Sequence, residues 1–203
     1  MAGDAKPQAA RPQTAETRDA KPAGSERRWV ALALGSNQGD REALLARARE
    51  AVAALYGPLE RVSNIYETEP VGPPGQGPYL NQVVLLSAQA RAEEMIAPLQ
   101  AIEAKLGRKR AAGEERWGPR PIDIDILLEE GTVRRTPDLV LPHPRLHERA
   151  FVLAPLAEVL PEWRHPLLGK TVLELLAATG RQGTALWTGR ERSADGAKCR
   201  EPR

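Results

Sequence analysis

The sequence predicts an α+β fold, in which an antiparallel sheet of four strands carries helices on one face and extra helices follow at the C-terminal end. Two observations predict it. Short apolar runs typical of buried strands alternate with stretches whose apolar residues recur at helical spacing. These segments come in the order β-α-β-β-α-β, which is that of the ferredoxin-like fold. The 203 residues are enough for one such domain with a real core.

The first half of the chain supplies three strands and two helices. A buried strand over residues 29–34 leads through a Gly-rich connector into a helix over 41–56, whose apolar residues share one side. A second strand is expected over 61–68. A loop rich in Gly and Pro then leads to a central strand over 79–87, which is apolar on both faces. The second helix is expected over 92–106, again from the spacing of its apolar residues.

The second half contributes the fourth strand and the extra helices. Residues 122–128 begin with apolar and acidic residues in strict alternation, which is the period of a strand. A returning strand is expected over 132–135, and a short apolar helix from about 150 to 159. Thr171 and Glu174 have the spacing of a capping box, which predicts the start of a last helix.

Both ends of the chain differ in composition from its middle. Residues 1–27 are rich in Ala, Pro and charged or small polar residues, and they carry no large apolar residue after Met1. Such a segment cannot bury enough surface to fold, so a disordered tail is predicted. Residues 181–203 are charged and contain Gly, and a second disordered tail is predicted there. A single domain is therefore expected over 28–180.

Composition excludes several classes of function. The formal net charge is only +2, so charge alone indicates no nucleic-acid partner. The sequence has neither a run of about 18 apolar residues nor the apolar core of a secretory signal, so no membrane association is expected. The single cysteine, Cys199, cannot form an internal disulfide and suits a reducing compartment. A cytoplasmic monomer is the expectation.

The strongest signal for function lies at the start of the fourth strand. Asp123 and Asp125 are two residues apart, so a strand places both carboxylates on one face. Paired carboxylates repel each other unless a cation lies between them, and oxygen ligands suit Mg²⁺. Just upstream lie Arg116, Trp117 and Arg120. Guanidinium groups bind phosphates and indole rings stack on flat heterocycles, so this pattern indicates chemistry on a nucleotide.

Other interpretations stay open on these residues alone. The acidic pair could be an exposed strand face without a ligand. A Gly-Ser pair with an Asp-x-Asp pair is also found in nucleotidyltransferases, although the gap here is far longer, and a phosphohydrolase would use similar groups. A ferredoxin-like sheet can bind RNA, but that use needs aromatic residues on the central strands, and the chain has one Phe, in its C-terminal segment.

Several segments together resemble the hydroxymethyldihydropterin pyrophosphokinase family of the folate pathway. They occur in the family's order between residue 29 and about residue 165, and the Arg-Trp-Gly-Pro-Arg segment before Asp-x-Asp is the most specific. The matching segments are Ala33-Leu-Gly-Ser-Asn37, Tyr66-Glu-Thr-Glu-Pro-Val-Gly72, Pro78-Tyr-Leu-Asn81, Arg116-Trp-Gly-Pro-Arg120 with Ile122-Asp-Ile-Asp125, and Leu141-Pro-His143 with Arg149-Ala-Phe151.

The resemblance implies a ferredoxin-like sheet and a defined reaction. The family transfers diphosphate from ATP to 6-hydroxymethyl-7,8-dihydropterin and releases AMP, with two Mg²⁺ ions as cofactors and ATP as co-substrate. Asp123 and Asp125 match the ligands of the metal ions. The implied partners are thus two small molecules.

The resemblance also implies roles for residues outside the metal pair. Three arginines match catalytic phosphate clamps: Arg108, Arg110 and Arg120. The nucleotide side would consist of Gln100, Glu103, Arg110, Arg116, Trp117, Arg120, Ile126, His143 and Arg149. The pterin side would consist of Ser36, Thr68, Val71, Tyr79, Asn81, Trp117 and Phe151.

A few positions depart from the family pattern. Glu69 stands where some members have Pro, and Pro98 lies inside the second helix, where it is expected to kink the helix or delay its start. The connection from Arg110 to Arg116 is slightly longer than in compact members. Whether Arg108 or Arg110 acts at the phosphates therefore stays open.

Overall fold

The computed structural model describes residues 27–70, 72–109 and 118–189. The strands are β1 (Arg28–Ser36), β2 (Leu59–Val62), β3 (Tyr66–Thr68), β4 (Tyr79–Ala88), β5 (Asp123–Glu129), β6 (Arg134–Arg135), β7 (Val140–Leu141) and β8 (Thr184–Leu186). The helices are α1 (Arg41–Tyr56), α2 (Ala92–Lys105), α3 (Ala150–Val159) and α4 (Val172–Thr179), with one turn of 3₁₀ helix at Leu146–Glu148.

The main sheet has six strands and all its pairs are antiparallel. Its order is β5-β1-β4-β3-β8, and β2 pairs with β4 as well. Strands β6 and β7 form a separate two-stranded sheet. The predicted α+β class with an antiparallel sheet is thereby confirmed.

Helices cover both faces of this sheet, and strand alternation sorts the core into two clusters. On one face Leu32 and Val84 pack with α1 and α2, through residues such as Leu45 and Met95. On the other face the alternating neighbours of these strands pack with α3 and α4. The first two helices therefore share a face, as predicted, and the extra C-terminal helices occupy the opposite one.

The local signals for helices agree with the structure. The carboxylate of Asp40 accepts a hydrogen bond from Ala43 N at 3.0 Å and caps α1. The predicted capping box is confirmed, because Glu174 N donates to Thr171 Oγ1 at 3.1 Å and Thr171 N donates to Glu174 Oε2 at 2.7 Å. Helix α2 begins at Ala92 and continues past Pro98, so the expected late start does not occur.

The strand predicted over residues 61–68 is two strands, β2 and β3. The break falls at Ser63, whose hydroxyl takes the place of a backbone group in the ladder. Val83 N donates to Ser63 Oγ at 3.0 Å, while Ser63 N donates to Val83 O at 2.9 Å. A side chain that satisfies the backbone locally diverts the chain from regular pairing, and single-strand periodicity does not reveal it.

The C-terminal end differs from the sequence-based expectation of a tail beginning at residue 181. Residues 184–186 form β8, which pairs with β3 in the register Thr68↔Thr184. This strand is only three residues long and none of them is buried, and its pairing uses the open edge that β3 offers. Residues 190–203, like residues 1–26, lie outside the described part of the chain. In the described ranges, no helix is both long and apolar enough to cross a membrane.

Candidate active site

Asp123 and Asp125 lie on the edge strand β5 and point away from the core of α1 and α2. Between them Ile124 is 7 % exposed, and Ile122 before them is fully buried. Because side chains alternate along β5, both carboxylates lie on one face of the sheet, next to Ala33 and Gly35 of β1. The sequence-based prediction of their shared face therefore agrees with the structure.

Arginine side chains hold the carboxylate of Asp123 from two sides. Arg120 Nη1 donates to Asp123 Oδ2 at 3.1 Å, and Arg108 Nη1 donates to Asp123 Oδ1. Arg108 Nη1 also donates to Glu103 Oε1 at 2.6 Å. Burial lowers the pKa of Arg108, but the carboxylates of Asp123 and Glu103 outweigh it and raise that pKa. Arg108 is therefore a fixed cation at the start of β5.

Glu103 is the residue that holds this arrangement to helix α2. Its side chain is 2 % exposed, and its Oε1 accepts from Ile124 N at 2.8 Å as well as from Arg108. A buried carboxylate needs such partners, because its desolvation is otherwise costly. Glu103, expected at the nucleotide, thus lies beneath Arg108 and connects α2 to β5.

Asp125 lies in a different electrostatic environment from Asp123. Burial raises the pKa of its carboxyl group to about 7, and the negative charges of Asp123 and Glu103 contribute to that rise, while Arg149 and Arg108 oppose the shift. The ionised form is therefore disfavoured in the protein alone. A carboxylate in this state gains strongly from a cation placed beside it.

The donor set fits magnesium better than a metal enclosed by protein ligands. Within residues 27–70, 72–109 and 118–189, no three His, Cys, Asp or Glu side chains gather as a metal site. Asp123 and Asp125 offer carboxylate oxygens as ligands, and magnesium is commonly held by one or two carboxylates together with water and substrate phosphates. We name Asp123, Asp125, Glu103, Arg108 and Arg120 the acidic half of the site.

A cavity of about 310 Å³ opens beside the acidic half, between α2 and β5. Its volume is at the lower end of the range for small-molecule sites. Three residues expected on the nucleotide side line it, namely Gln100, Ile126 and His143, and so does Asp125. Its other lining residues are Ile96, Leu99, Ile124, Pro137, Asp138, Leu139, Val140 and Pro144.

His143 is a neutral ring in this cavity. Burial lowers the pKa of its imidazole to about 4, and the charges of Arg149 and Arg145 act in the same direction. Its Nδ1 accepts a hydrogen bond from Arg145 N at 3.2 Å. The ring therefore offers an uncharged polar surface at neutral pH.

A second group of polar side chains lies across β1 from the acidic pair. Asn81 Nδ2 donates to Thr68 Oγ1 at 2.7 Å, and Gly35 separates Asn81 from Asp123 in the sheet register. A Cβ at Gly35 would lie 3.3 Å from Asn81 Oδ1, so the absence of a side chain keeps this space open. The hydroxyl of Tyr79 donates to Gly118 O at 3.3 Å.

Asn37 links Arg120 to the loop between β3 and β4, and the sequence prediction missed it as a site residue. It is 8 % exposed. Its Oδ1 accepts from Arg120 N at 2.7 Å, while its Nδ2 donates to Gln76 Oε1 at 3.3 Å and Gly77 O at 3.5 Å. It belongs to the Gly-Ser-Asn turn that motivated the resemblance, which was its only signal. We name Asn37, Thr68, Tyr79 and Asn81 the amide half of the site.

Arg149 and Phe151 lie at the N-terminal end of α3. The guanidinium carbon of Arg149 is 5.4 Å from the centroid of the Phe151 ring, and the ring is half-buried against the core of that face. The charge of Arg149 reaches both Asp125 and His143, since it affects the pKa of each. Arg149 thus lies close enough to the acidic half to interact with Asp125, and Phe151 lies beside Arg149.

Not every expected residue is brought to this region. Ser36 is fully buried and lies opposite Leu80, whose side chain packs with α1 and α2. Strand alternation therefore directs the Ser36 side chain to the face opposite Asp123. Four further expected residues lie outside the described part of the chain: Val71, Arg110, Arg116 and Trp117.

Comparison with known proteins gives one consistent family. The model of the family described as 7,8-dihydro-6-hydroxymethylpterin-pyrophosphokinase (HPPK) matches residues 31–161. A 2-amino-4-hydroxy-6-hydroxymethyldihydropteridine pyrophosphokinase of Bacillus subtilis is 42% identical over 160 residues, covering 77% of this chain and 88% of that protein. The Porphyromonas gingivalis protein of the same name is 44% identical over 138 residues, covering 68% of this chain and 93% of the other.

Solved structures of proteins named HPPK-DHPS have a similar fold. One, of the wild-type Plasmodium falciparum protein with pteroate, superimposes with a TM-score of 0.60 at 14% identity, and covers 75% of this chain. Another, in complex with substrates, gives a TM-score of 0.57 at 14% identity and also covers 75% of this chain. The chain spans less than half of either solved chain, 42% and 43%, and at this identity the likeness shows the fold alone.

Proposed function

Because the chain belongs to the 7,8-dihydro-6-hydroxymethylpterin-pyrophosphokinase family, we propose that it transfers diphosphate from ATP to 6-hydroxymethyl-7,8-dihydropterin. The products are the pterin methyl diphosphate and AMP, and the reaction belongs to tetrahydrofolate biosynthesis. One observation carries the proposal. The family match over residues 31–161 contains both halves of the site and the cavity beside them.

The cavity between α2 and β5 is the proposed site of the adenine base. Eight of its twelve lining residues are apolar and four are polar, which suits a flat heterocycle with a polar edge. Strand β5 lies at the edge of the sheet, so backbone groups near Ile126 face this cavity rather than another main-sheet strand. Gln100 and the neutral ring of His143 would complete the nucleotide side, with Arg149 towards the phosphates.

Magnesium would be held by Asp123 and Asp125, and we expect two ions. The chemistry of this pair supports the proposal. Asp125 can supply an oxygen ligand, and the raised pKa of its carboxyl group means that the protein alone does not fully stabilise its negative charge. When bound, magnesium would neutralise charge on the phosphate oxygens. Glu103 and Arg108 would keep Asp123 oriented for this role.

The arginines are proposed to bind the triphosphate. Arg108 and Arg120 now share the carboxylate of Asp123, and phosphate oxygens could replace that carboxylate as their acceptor. Arg110 and Arg116 are proposed to join them. In the reaction the pterin hydroxyl oxygen loses its proton to solvent and bonds to the β-phosphorus, and the bond from that phosphorus to the oxygen bridging to the α-phosphate breaks. Cations beside that oxygen offset the charge it gains.

The amide half is proposed to bind the pterin. One N–H of the Asn81 amide donates to Thr68, which fixes the side chain, and the amide has a second N–H and an oxygen suited to the edge of the pterin. Phe151 and Trp117 would enclose the ring, and Tyr79 and Val71 would lie beside it. Since the side chain of Ser36 is directed to the other face, any contact from Ser36 would come from its backbone.

Three broader expectations join this proposal. The sheet order β5-β1-β4-β3, with α1 and α2 on one face, supports a ferredoxin-like core. A single pyrophosphokinase domain over residues 28–180 is supported by the family match, and β8 would extend it. We propose that the protein acts as a cytoplasmic monomer without a nucleic-acid partner, which the small net charge and the single cysteine support.

The decisive experiment follows the phosphates of ATP. The protein is incubated with Mg²⁺, the pterin and ATP labelled at either the α- or the γ-phosphate. The γ-label should move to the pterin product and the α-label should stay in AMP, both only when the pterin is present. Formation of ADP would contradict diphosphate transfer, and release of pyrophosphate without the pterin would indicate a nucleotidyltransferase or phosphohydrolase instead.

A further inference from the structure

Strand β8 ends next to a tryptophan that reaches across to the start of helix α1. Trp187 N donates to Ile65 O at 2.9 Å and so continues the pairing of β8 with β3. The indole Nε1 donates to Glu42 Oε2 at 3.0 Å, and the ring is partly buried against the core that α1 and α2 share. Two polar anchors and a packing contact therefore fix this ring.

The fixed ring carries a cation. The guanidinium carbon of Arg41 lies 5.1 Å from the centroid of the Trp187 ring. Such a contact stabilises the cation, most when it is shielded from water. The side chain of Arg41 is 14% exposed, so it is largely shielded, and its planar group is held against the indole.

Arg41 in turn holds both ends of the loop that joins β3 to β4. Its Nη1 donates to Pro78 O at 2.9 Å and to Glu67 Oε1 at 3.1 Å. Glu67 immediately precedes Thr68 of the amide half, and Pro78 immediately precedes Tyr79. The guanidinium group of Arg41 thus binds the backbone at the end of the loop, at Pro78. It also binds the side chain of Glu67, in the strand that precedes the loop.

We propose that Trp187 is a positioning residue for the pterin side of the site, acting through Arg41 on the β3–β4 loop. The proposal rests on the proposed function, which assigns the amide half to the pterin. The family match ends at residue 161, so β8 and Trp187 lie beyond the segment that defines the family. Fixing the loop before the pterin binds lowers the entropy lost on binding, which strengthens binding of that substrate.

The test compares Trp187→Ala with Leu186→Ala. Leu186 is the last residue of β8 and is 58% exposed, so its replacement leaves the backbone pairing of β8 in place. Trp187→Ala should raise KM for the pterin about five- to tenfold with KM for ATP unchanged, since losing the cation contact weakens one side only. Trp187→Phe, which keeps a ring face, should recover most of the loss.

A double-mutant cycle with Arg41→Ala separates positioning from simple packing. If Trp187 acts through Arg41, both single variants raise KM for the pterin and the double variant adds little to Arg41→Ala. Additive effects, or equal rises in KM for ATP and the pterin, would overturn the proposal. Should Trp187→Ala fail to fold, Arg41→Ala still tests the step at the loop, because an unchanged KM for the pterin in that variant would overturn the proposal.

The wild-type protein serves as the control for the reaction itself. Absence of pterin-dependent AMP from the wild type would contradict the proposed function. An active wild type whose pterin KM does not respond to Arg41→Ala or Trp187→Ala would contradict only the positioning role.

Discussion

The two halves of the site are held together by different forces. In the acidic half, charges are brought close and partly buried, and the protein alone leaves Asp125 with a pKa of about 7. In the amide half, neutral groups meet in satisfied hydrogen bonds, such as Asn81 to Thr68 at 2.7 Å. The first half gains from a bound cation, whereas the second is formed before any ligand arrives. Asn37 and Arg120 connect them.

The same contrast exists within the acidic half. Asp123 and Asp125 are the same residue type on one face of one strand. Arginines on two sides form ion pairs with Asp123, whereas desolvation and the charges of Asp123 and Glu103 raise the pKa of Asp125 more than Arg149 and Arg108 lower it. Their positions on the strand thus orient both side chains towards the same face. The neighbouring residues determine the electrostatic environment of each carboxylate.

The largest expected effect comes from removing either carboxylate. Asp123→Ala and Asp125→Ala should each lower kcat by more than about 100-fold, because losing a residue that merely supports a metal ligand already costs about 10–100-fold. Turnover is measured with saturating ATP, pterin and Mg²⁺. Glu60→Ala, which removes an exposed carboxylate on β2, serves as the matched control and should leave kcat unchanged. Normal turnover in both aspartate variants would contradict the assigned metal site.

Replacing each aspartate by asparagine should have opposite effects on the free energy of unfolding at pH 8. The folded pKa of Asp125, about 7, lies above the value of about 3.9 expected in the unfolded chain. The folded protein therefore loses stability as pH rises from about 4 to about 7. Asp125→Asn cannot ionise, so without metal it should be more stable than wild type at pH 8 and lose this advantage near pH 4.

Asp123→Asn should instead destabilise the protein, by about 1 kcal/mol, because Arg108 and Arg120 lose their charged acceptor. Both variants are compared with wild type by urea unfolding in EDTA, at pH 8 and pH 4. Shifts of the same sign at pH 8 would show that the two carboxylates do not differ as described.

A smaller effect is expected at the connection between the halves. Asn37→Ala removes the acceptor of Arg120 N and the donor to Gln76 and Gly77. The free energy of unfolding should fall by about 1–3 kcal/mol, since buried partners lose their hydrogen bonds. Gln38→Ala, at the exposed neighbouring position, should change it by less than about 0.5 kcal/mol. Urea unfolding measures both, and equal values for the two variants would contradict the connecting role.

Sequence alone determined the features that depend on local spacing. The alternation from Ile122 to Ile126 predicted a strand with both aspartates on one face, and the structure agrees. The helical period predicted α1 over residues 41–56, and the spacing of Thr171 and Glu174 predicted the cap of α4. These features follow from the period of the backbone and from hydrogen bonds between residues three or four positions apart.

Only the tertiary structure decided which distant groups meet. Glu103 on α2 and Arg108 just after that helix meet Asp123 on β5, and these contacts give Asp123 and Asp125 unlike environments. Ser36 and Gly35 are neighbours in sequence, yet alternation places only Gly35 beside Asn81. Strand β8 exists because β3 offers it an open edge. Burial, charge compensation and strand pairing depend on residues far apart in the chain, and periodicity carries no information about them.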